Sequence, residues 1–247
     1  MDAVIQTEGL GKQYGAKWAL ADCSLRVPAG TMAGLVGPNG AGKTTLLSMI
    51  TGMLPPTAGR IQVAGGAPAA GAAQLAKVGF VAQDAPVYAG MSIADHFKLG
   101  AHLNPRWDMG LARERVARLG LDQKQKAGKL SGGQRAQLAL TMALAKQPSL
   151  LILDEPAAAL DPLARREFMT DLAQAAAERR LSVLLSSHLI EDLERACDYL
   201  IVLANGRVQV AGRVPDLLTT HQPASMQEMV LGYLSRARGN GETEVAR

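Results

Sequence analysis

The sequence predicts an α/β protein whose sheet-forming core is split in the chain by a helical insert. Three observations carry this. LLILD, ending at Asp154, and SVLLSS, ending at Ser187, are short continuous apolar runs, as expected of strands with helices over both faces. Residues 1–35 have a β texture, with SLRV and TMAGLV separated by the turn PAG. From about Asp84 to Ala145 the texture is helical instead.

Taken in order, TMAGLV leads into the glycine-rich loop GPNGAGKTT, and a helix is expected from Lys43 to Thr51. GMLPPTAG breaks it, and RIQVAG and KVGFVAQ are further strands. In the insert, Ser92 with Asp95 and Ser131 with Gln134 have capping-box spacing, each marking a helix start. DMGLARERVARLGL spaces Met109, Leu111, Val116 and Leu119 for a helix that ends at Gly120. After Pro148 the α/β texture returns. A helix from Pro162 to Glu178 separates the two apolar strands, and YLIVLANGRVQVAG reads as a hairpin about Asn205-Gly206. Residues Val214 to Ser235 are predicted helical, and RARGNGETEVAR reads as a frayed polar tail. The expected organisation is one domain over residues 1–235. Its core lies at about 1–83 and 146–235, its helical part at about 84–145, and a polar tail at 236–247.

At 247 residues, 48% apolar and 19% charged, the chain has ample material for a core. Aromatics make up 4%, which argues against a surface for stacking bases. The net charge is +4, with no run of five like charges. Arg165-Arg166 and Arg179-Arg180 lie beside carboxylates and read as solvated helix faces, so no nucleic-acid partner is expected. Cys23 and Cys197 lack metal spacing and read as reduced, buried thiols of a cytosolic protein. The start, MDAVIQTEGL, has no signal-peptide core. No apolar run reaches the ~18 residues that span a bilayer.

GPNGAGKTT matches G-x-x-x-x-G-K-[ST] at Gly37, Gly42, Lys43 and Thr44, after an apolar strand and before a helix. Its glycines let successive N–H groups point inward as an anion nest. Lys43 can reach β- and γ-phosphates, and the Thr44 hydroxyl can ligate Mg²⁺. Such a loop needs a carboxylate at the end of a nearby buried strand, which Asp154 supplies. Glu155 follows at once; if the strand end turns, Asp154 serves the metal and Glu155 orients or deprotonates water. His188 and Gln83 end other strands and are open to structural readings on their own. His96, His102 and His221 have no supporting pattern.

A second glycine pair, in KLSGGQRAQ, opens a helix about ninety residues further on, and raises the question of whose phosphate it holds. Together these residues resemble the ATP-binding subunit of ABC transporters, from about residue 4 to about residue 215. The most specific mark is LSGGQ at Leu130–Gln134, and GPNGAGKTT, Gln83, LSGGQ, LLILDEP, LDP at Leu160–Pro162 and His188 follow the order of that family.

The resemblance implies a P-loop NTPase (RecA-like) core with an N-terminal antiparallel β subdomain and an inserted helical subdomain. It implies ATP and Mg²⁺ as ligands and ATP hydrolysis as the activity. Nucleotide is expected at Gly37, Asn39, Gly40, Ala41, Gly42, Lys43, Thr44 and Thr45, with Tyr14 stacked on adenine. Thr44, Gln83 and Asp154 are expected at the metal, and Glu155, His188 and Gln83 at the chemistry. The family works as a head-to-tail pair of subunits. Ser131, Gly132, Gly133 and Gln134 would then face the γ-phosphate held by the partner, and Asp161 would communicate across the pair. The common Ser-Ala-Leu-Asp reads Ala158-Ala159-Leu160-Asp161 here, losing a hydroxyl at that contact.

A separate membrane permease is implied, with this chain cytoplasmic and peripheral on the inner face of the membrane. Val87, Tyr88 and Met91 are candidates to meet that permease, with core packing as their rival role. DAPVYAGMSIADHF and the short C-terminus lean toward export-type systems. The alternative is an ABC ATPase without a permease, such as an iron–sulfur cluster assembly ATPase, whose signature usually carries an acid where Gln134 stands.

Overall fold

The computed structural model describes residues 2–223 and 225–245. The chain opens with β1 (Ala3–Tyr14) and β2 (Lys17–Pro28), a long antiparallel hairpin with several register shifts. The central strand β3 (Met32–Val36) leads through the glycine loop into α1 (Lys43–Thr51), with the bounds expected from sequence. Gly52, at φ 79°, ends α1 in the left-handed region where a side chain is strained. β4 (Ala58–Val63), a single turn α2 (Ala72–Leu75) and β5 (Val78–Val81) follow.

The insert holds α3 (Ile93–Leu103), α4 (Met109–Arg118), a 3₁₀ turn at Ala127–Lys129 and α5 (Gly132–Ala145). Both expected capping boxes form, at Ser92 with Asp95 and at Ser131 with Gln134. The chain then returns as β6 (Leu150–Asp154), α6 (Pro162–Arg179), β7 (Ser182–Ser186) and α7 (Ile190–Ala196). It finishes with β8 (Tyr199–Ala204), β9 (Arg207–Arg213), α8 (Val214–His221) and α9 (Met226–Val245). Asn205 and Gly206, at φ 51° and 69°, make the β8–β9 turn with both central residues left-handed, as a tight hairpin requires.

Two sheets result. One is antiparallel in the order β2-β1-β4; the other runs β5-β6-β7-β3-β8-β9, parallel except for β9. Strands β3, β6, β7 and β8 are buried at every residue. Their side chains alternate between two cores. Leu151, Leu153, Val183 and Leu185 join the core under α5, α6, α7 and α9. Leu150, Ile152, Leu184 and Ile201 join the core under α1 and the antiparallel sheet. Burial on both faces is what makes these strands continuous apolar runs.

The insert has its own core of Ile93, Phe97, Ala112, Val116 and Leu138. Helix α5 belongs to both regions: Leu138 and Ala145 face the insert, whereas Ala136, Leu140 and Leu144 face the main core. Arg115 on α4 is buried and ties the regions together. Its guanidinium donates to Thr141 Oγ1 at 3.3 Å and pairs with Asp171 Oδ2 at 3.7 Å. Burial lowers the proton affinity of Arg115, and Asp171 opposes that.

Two C-terminal expectations change. The single helix expected over Val214–Ser235 is two helices, because Gln222 turns left-handed at φ 48° just before Pro223. The tail expected to fray from Arg236 continues α9 to Val245 in backbone. Ala237 is buried there, and its carbonyl accepts a 2.7 Å hydrogen bond from Asn205 Nδ2, so the helix is tethered to the hairpin turn. Residues 246 and 247 lie outside the described residues.

Both cysteines are buried and free. Burial pushes the Cys23 thiol up to about 12 and the Cys197 thiol well above its ordinary range. Neither thiolate forms at neutral pH. The native protein should therefore react slowly with a disulfide thiol reagent at pH 8, and both thiols should titrate rapidly in guanidinium. A fast equivalent in the native state would contradict the burial.

Candidate functional site

The site lies at the carboxyl ends of the parallel strands, where α/β folds place ligands. It starts from the register of three neighbouring strands. Leu35 of β3 is opposite Ser186 of β7, and Ser186 is opposite Asp154 of β6. Asp154 therefore ends one strand away from the strand that carries the glycine loop, with Ser186 between. Ser186 Oγ donates to Asp154 Oδ1 at 2.7 Å, and Thr44 Oγ1 donates to Asp154 Oδ2 at 3.0 Å. Both carboxylate oxygens are thus held, and Asp154 is buried.

The loop is shaped by its glycines at two positions above all. A Cβ on Gly37 would sit 2.1 Å from the Leu203 carbonyl oxygen, and one on Gly42 would sit 2.7 Å from that of Ala19. Gly42 also has φ 103°. The loop thus lies directly against β8 and β2, leaving its inner side open. Lys43, 6% exposed, donates from Nζ to the Gly37 carbonyl at 2.8 Å and lies 3.4 Å from Glu155 Oε1.

Glu155 stands at φ 45°, which a residue with a side chain seldom adopts. This is the turn at the strand end that lets adjacent acids serve one site. Its N–H donates to Ser186 Oγ at 2.9 Å, which holds the turn. The other carboxylate oxygen, Oε2, lies 3.0 Å from His188 Nδ1. An ionised carboxylate only accepts, so Nδ1 carries the proton there and Nε2 is left for a ligand.

These groups border an open cleft of about 1000 Å³. Among the expected residues, Tyr14, Asn39, Gly40, Gly42, Lys43, Thr44, Thr45, Gln83, Glu155 and His188 line it. Gly37, Ala41 and Asp154 are packed behind its wall. Ser131, Gly132, Gly133, Gln134 and Asp161 do not line the cleft. The first four open α5, with Ser131 N donating to Gln134 Oε1 at 2.9 Å. A Cβ on Gly132 would meet nothing within 4 Å, so this helix end is bare. Asp161 caps α6, accepting from the N–H groups of Leu163 and Ala164, each at 3.0 Å.

A family profile described as ABC transporter matches residues 20–158. The sulfate/thiosulfate import ATP-binding protein of Chromobacterium violaceum is 35% identical over 94% of this chain and 66% of its own length. The thiamine import ATP-binding protein of Salmonella choleraesuis is 34% identical over 82% of this chain and 88% of its own. The chain belongs to the ABC transporter family.

The Nod factor export ATP-binding protein I of Rhizobium johnstonii is 37% identical over 85% of this chain and 69% of its own. A solved structure titled as the ATP-binding subunit of an ABC transporter superposes with a TM-score of 0.82, at 27% identity, over 93% of this chain and 99% of that one. The sequence-based assignment as an ATP-binding subunit and an ATPase of the ABC transporter family therefore stands. These relatives favour neither import nor export, since import and export proteins are similarly close. Among the described residues, no helix is long and apolar enough to cross a membrane.

Sequence reasoning missed several residues. Ser186 read only as the end of an apolar strand, and its one signal was a serine where that strand meets the site. Lys17, Trp18, Asn205 and Gly206 also line the cleft. Arg165 read as a solvated face, yet its guanidinium donates to the carbonyls of Ala157 at 3.3 Å and Leu160 at 3.2 Å. It thereby fixes the loop before Asp161. His96 is buried: Nδ1 faces the Ser92 carbonyl at 2.8 Å and Nε2 accepts from the Tyr88 N–H at 3.0 Å. The side chain of His221 lies outside the described residues.

Ser186→Ala removes a donor to the carboxylate of Asp154 and the side-chain acceptor of the Glu155 N–H, which keeps only the Ser186 carbonyl at 3.2 Å. The expected result is a fall in ATPase kcat of about tenfold, with KM for ATP moving less than about threefold. Tm should fall by about 3–8 °C. Steady-state kinetics and thermal unfolding of the variant check this.

Proposed function

We propose that this chain acts as one half of a head-to-tail ATPase pair that drives a separate membrane permease. One observation carries the reading. The helix end at Ser131 and Gly132 is exposed, with Gly133 against Ala164, and it is absent from the cleft lined by its own chain; a helix N-terminus of this kind suits an anion. It would complete the cleft of a second copy, or of a related subunit.

In each cleft, Lys43 would place its charge on the β- and γ-phosphates, and the loop N–H groups would hold them. The hydroxyl of Thr44 with Asp154 and the Gln83 amide oxygen form an all-oxygen donor set, which suits Mg²⁺ completed by phosphates and water. Bound there, the ion would neutralise developing phosphate charge. Glu155 would accept a proton from the attacking water, and His188 would hold Glu155 in place while its Nε2 meets the γ-phosphate. Tyr14, 54% exposed, would stack on the base. Asp161 would lie at the seam between the subunits.

The loop after Gln83 is the proposed contact with the permease. Tyr88 is 65% exposed there, whereas Val87 packs on the insert core. The chain would then lie in the cytoplasm, on the inner face of the membrane.

Lys43→Ala should lower ATP affinity at least tenfold, read by calorimetry. Glu155→Gln should bind ATP and hydrolyse it orders of magnitude more slowly. With ATP and Mg²⁺ this variant should run as a dimer on a sizing column. Adding Ser131→Arg should abolish the dimer and leave ATP binding by the monomer intact. A dimer that survives Ser131→Arg would sink the head-to-tail reading.

A further inference from the structure

The cleft wall contains an aromatic residue that the phosphate and metal chemistry does not use. The chain has 2 tryptophans among its 247 residues. Trp107 packs in the insert core, with its indole Nε1 buried. Trp18 is 44% exposed and lines the cleft. An indole left half in water forgoes apolar burial, and its ring remains free to pack on a ligand.

Trp18 is nevertheless firmly seated. A Cβ on Gly11 would lie 2.8 Å from its Cζ3 and 3.4 Å from its Cε3. The inner edge of the ring thus rests on bare backbone of β1. In the hairpin ladder Trp18 is opposite Gln13, and Tyr14 is opposite Lys17. Paired residues share a face and neighbours alternate, so Tyr14 and Trp18 leave the hairpin on opposite faces. Both still border the cleft, because the hairpin tip meets it edge-on. They cannot be two slabs of one stack, and must address different parts of a ligand.

The chain path tells which part. Trp18 is followed by Ala19, whose carbonyl oxygen is 2.7 Å from where a Gly42 Cβ would be. Trp18 therefore stands next to the phosphate loop, with Tyr14 further out at the hairpin turn. We propose that Trp18 is a nucleoside-contacting residue that packs on the sugar and the near edge of the base, between the phosphates on Lys43 and the base on Tyr14. This rests on the reading of the cleft as an ATP site and adds a residue to it. The sugar C–H face and the indole ring exclude water from each other, so Trp18 would raise affinity for a nucleoside triphosphate without touching its phosphates.

The test compares the wild type, Trp18→Phe and Trp18→Val by calorimetry, each with Mg²⁺ and either ATP or inorganic tripolyphosphate. Trp18→Val should weaken ATP about five- to twentyfold, leave tripolyphosphate within twofold, and be largely reversed in Trp18→Phe. ATP should also change the tryptophan emission of the wild type, saturating at the calorimetric Kd, and this change should vanish in Trp18→Phe. If Trp18→Val binds ATP as the wild type does, the proposal is overturned and the ATP site stands. If it loses ATP and tripolyphosphate equally, Trp18 acts on the phosphate loop and the proposal is overturned. If the wild type itself binds no ATP, the reading of the cleft falls and takes the proposal with it.

Discussion

The site depends on one row of residues across three parallel strands. Leu35, Ser186 and Asp154 stand in register, and Ser186 donates to the carboxylate of Asp154 at 2.7 Å. A parallel sheet cannot slip by one residue without turning its buried side chains to the wrong core. The two cores that share these strands therefore also fix where the acids stand. Thr44 meets Asp154 because α1 starts after a loop pressed against β8, and the loop can be so close only because Gly37 has no side chain. The left-handed turn at Glu155 concentrates local strain at the cleft wall, and Ser186 holds that turn as well. One buried serine thus holds Asp154 and the turn at Glu155 together.

The insert is positioned by the same economy of parts. Helix α5 gives one face to the main core and the other to the insert core, so the exposed end at Ser131 and Gly132 is anchored to both. The loop carrying Tyr88 is fastened to the same unit through His96, and Val87 packs on that core. An exposed tyrosine and a bare helix end thus belong to one packed body. Arg115 ties this body to α6 through Asp171, and Asp161 caps α6.

Residues read as surface or filler share one feature: their partners are distant in sequence or lie in backbone. Arg165 answers carbonyls of the preceding loop and His96 answers an amide; Arg115, for which the sequence carried no reading, answers side chains on α5 and α6. A side chain that binds a carbonyl leaves no signature in its own spacing. The C-terminal helix was legible as far as its apolar residues reached. Beyond Arg236 its continuation rests on a tether from Asn205 to the Ala237 carbonyl, which no periodicity announces.

The sequence by itself determined what depends on neighbouring residues. The helix bounds at Lys43–Thr51, both capping boxes, the Asn205-Gly206 turn and the buried strands all follow from short-range sterics, local hydrogen bonds and apolar runs. The glycine loop and the adjacent acids Asp154 and Glu155 stand beside one strand end, as their spacing after apolar strands predicts. Only the tertiary structure decided what depends on register and on approach between distant segments. It placed Ser186 between Asp154 and the turn at Glu155, and brought Ala19 against Gly42 and Trp18 into the cleft wall. It also left Ser131–Gly133 outside the cleft of its own chain. Each of these is set by how strands order themselves in the sheet. That order reflects the burial of two opposite faces at once, a constraint the chain meets only when folded.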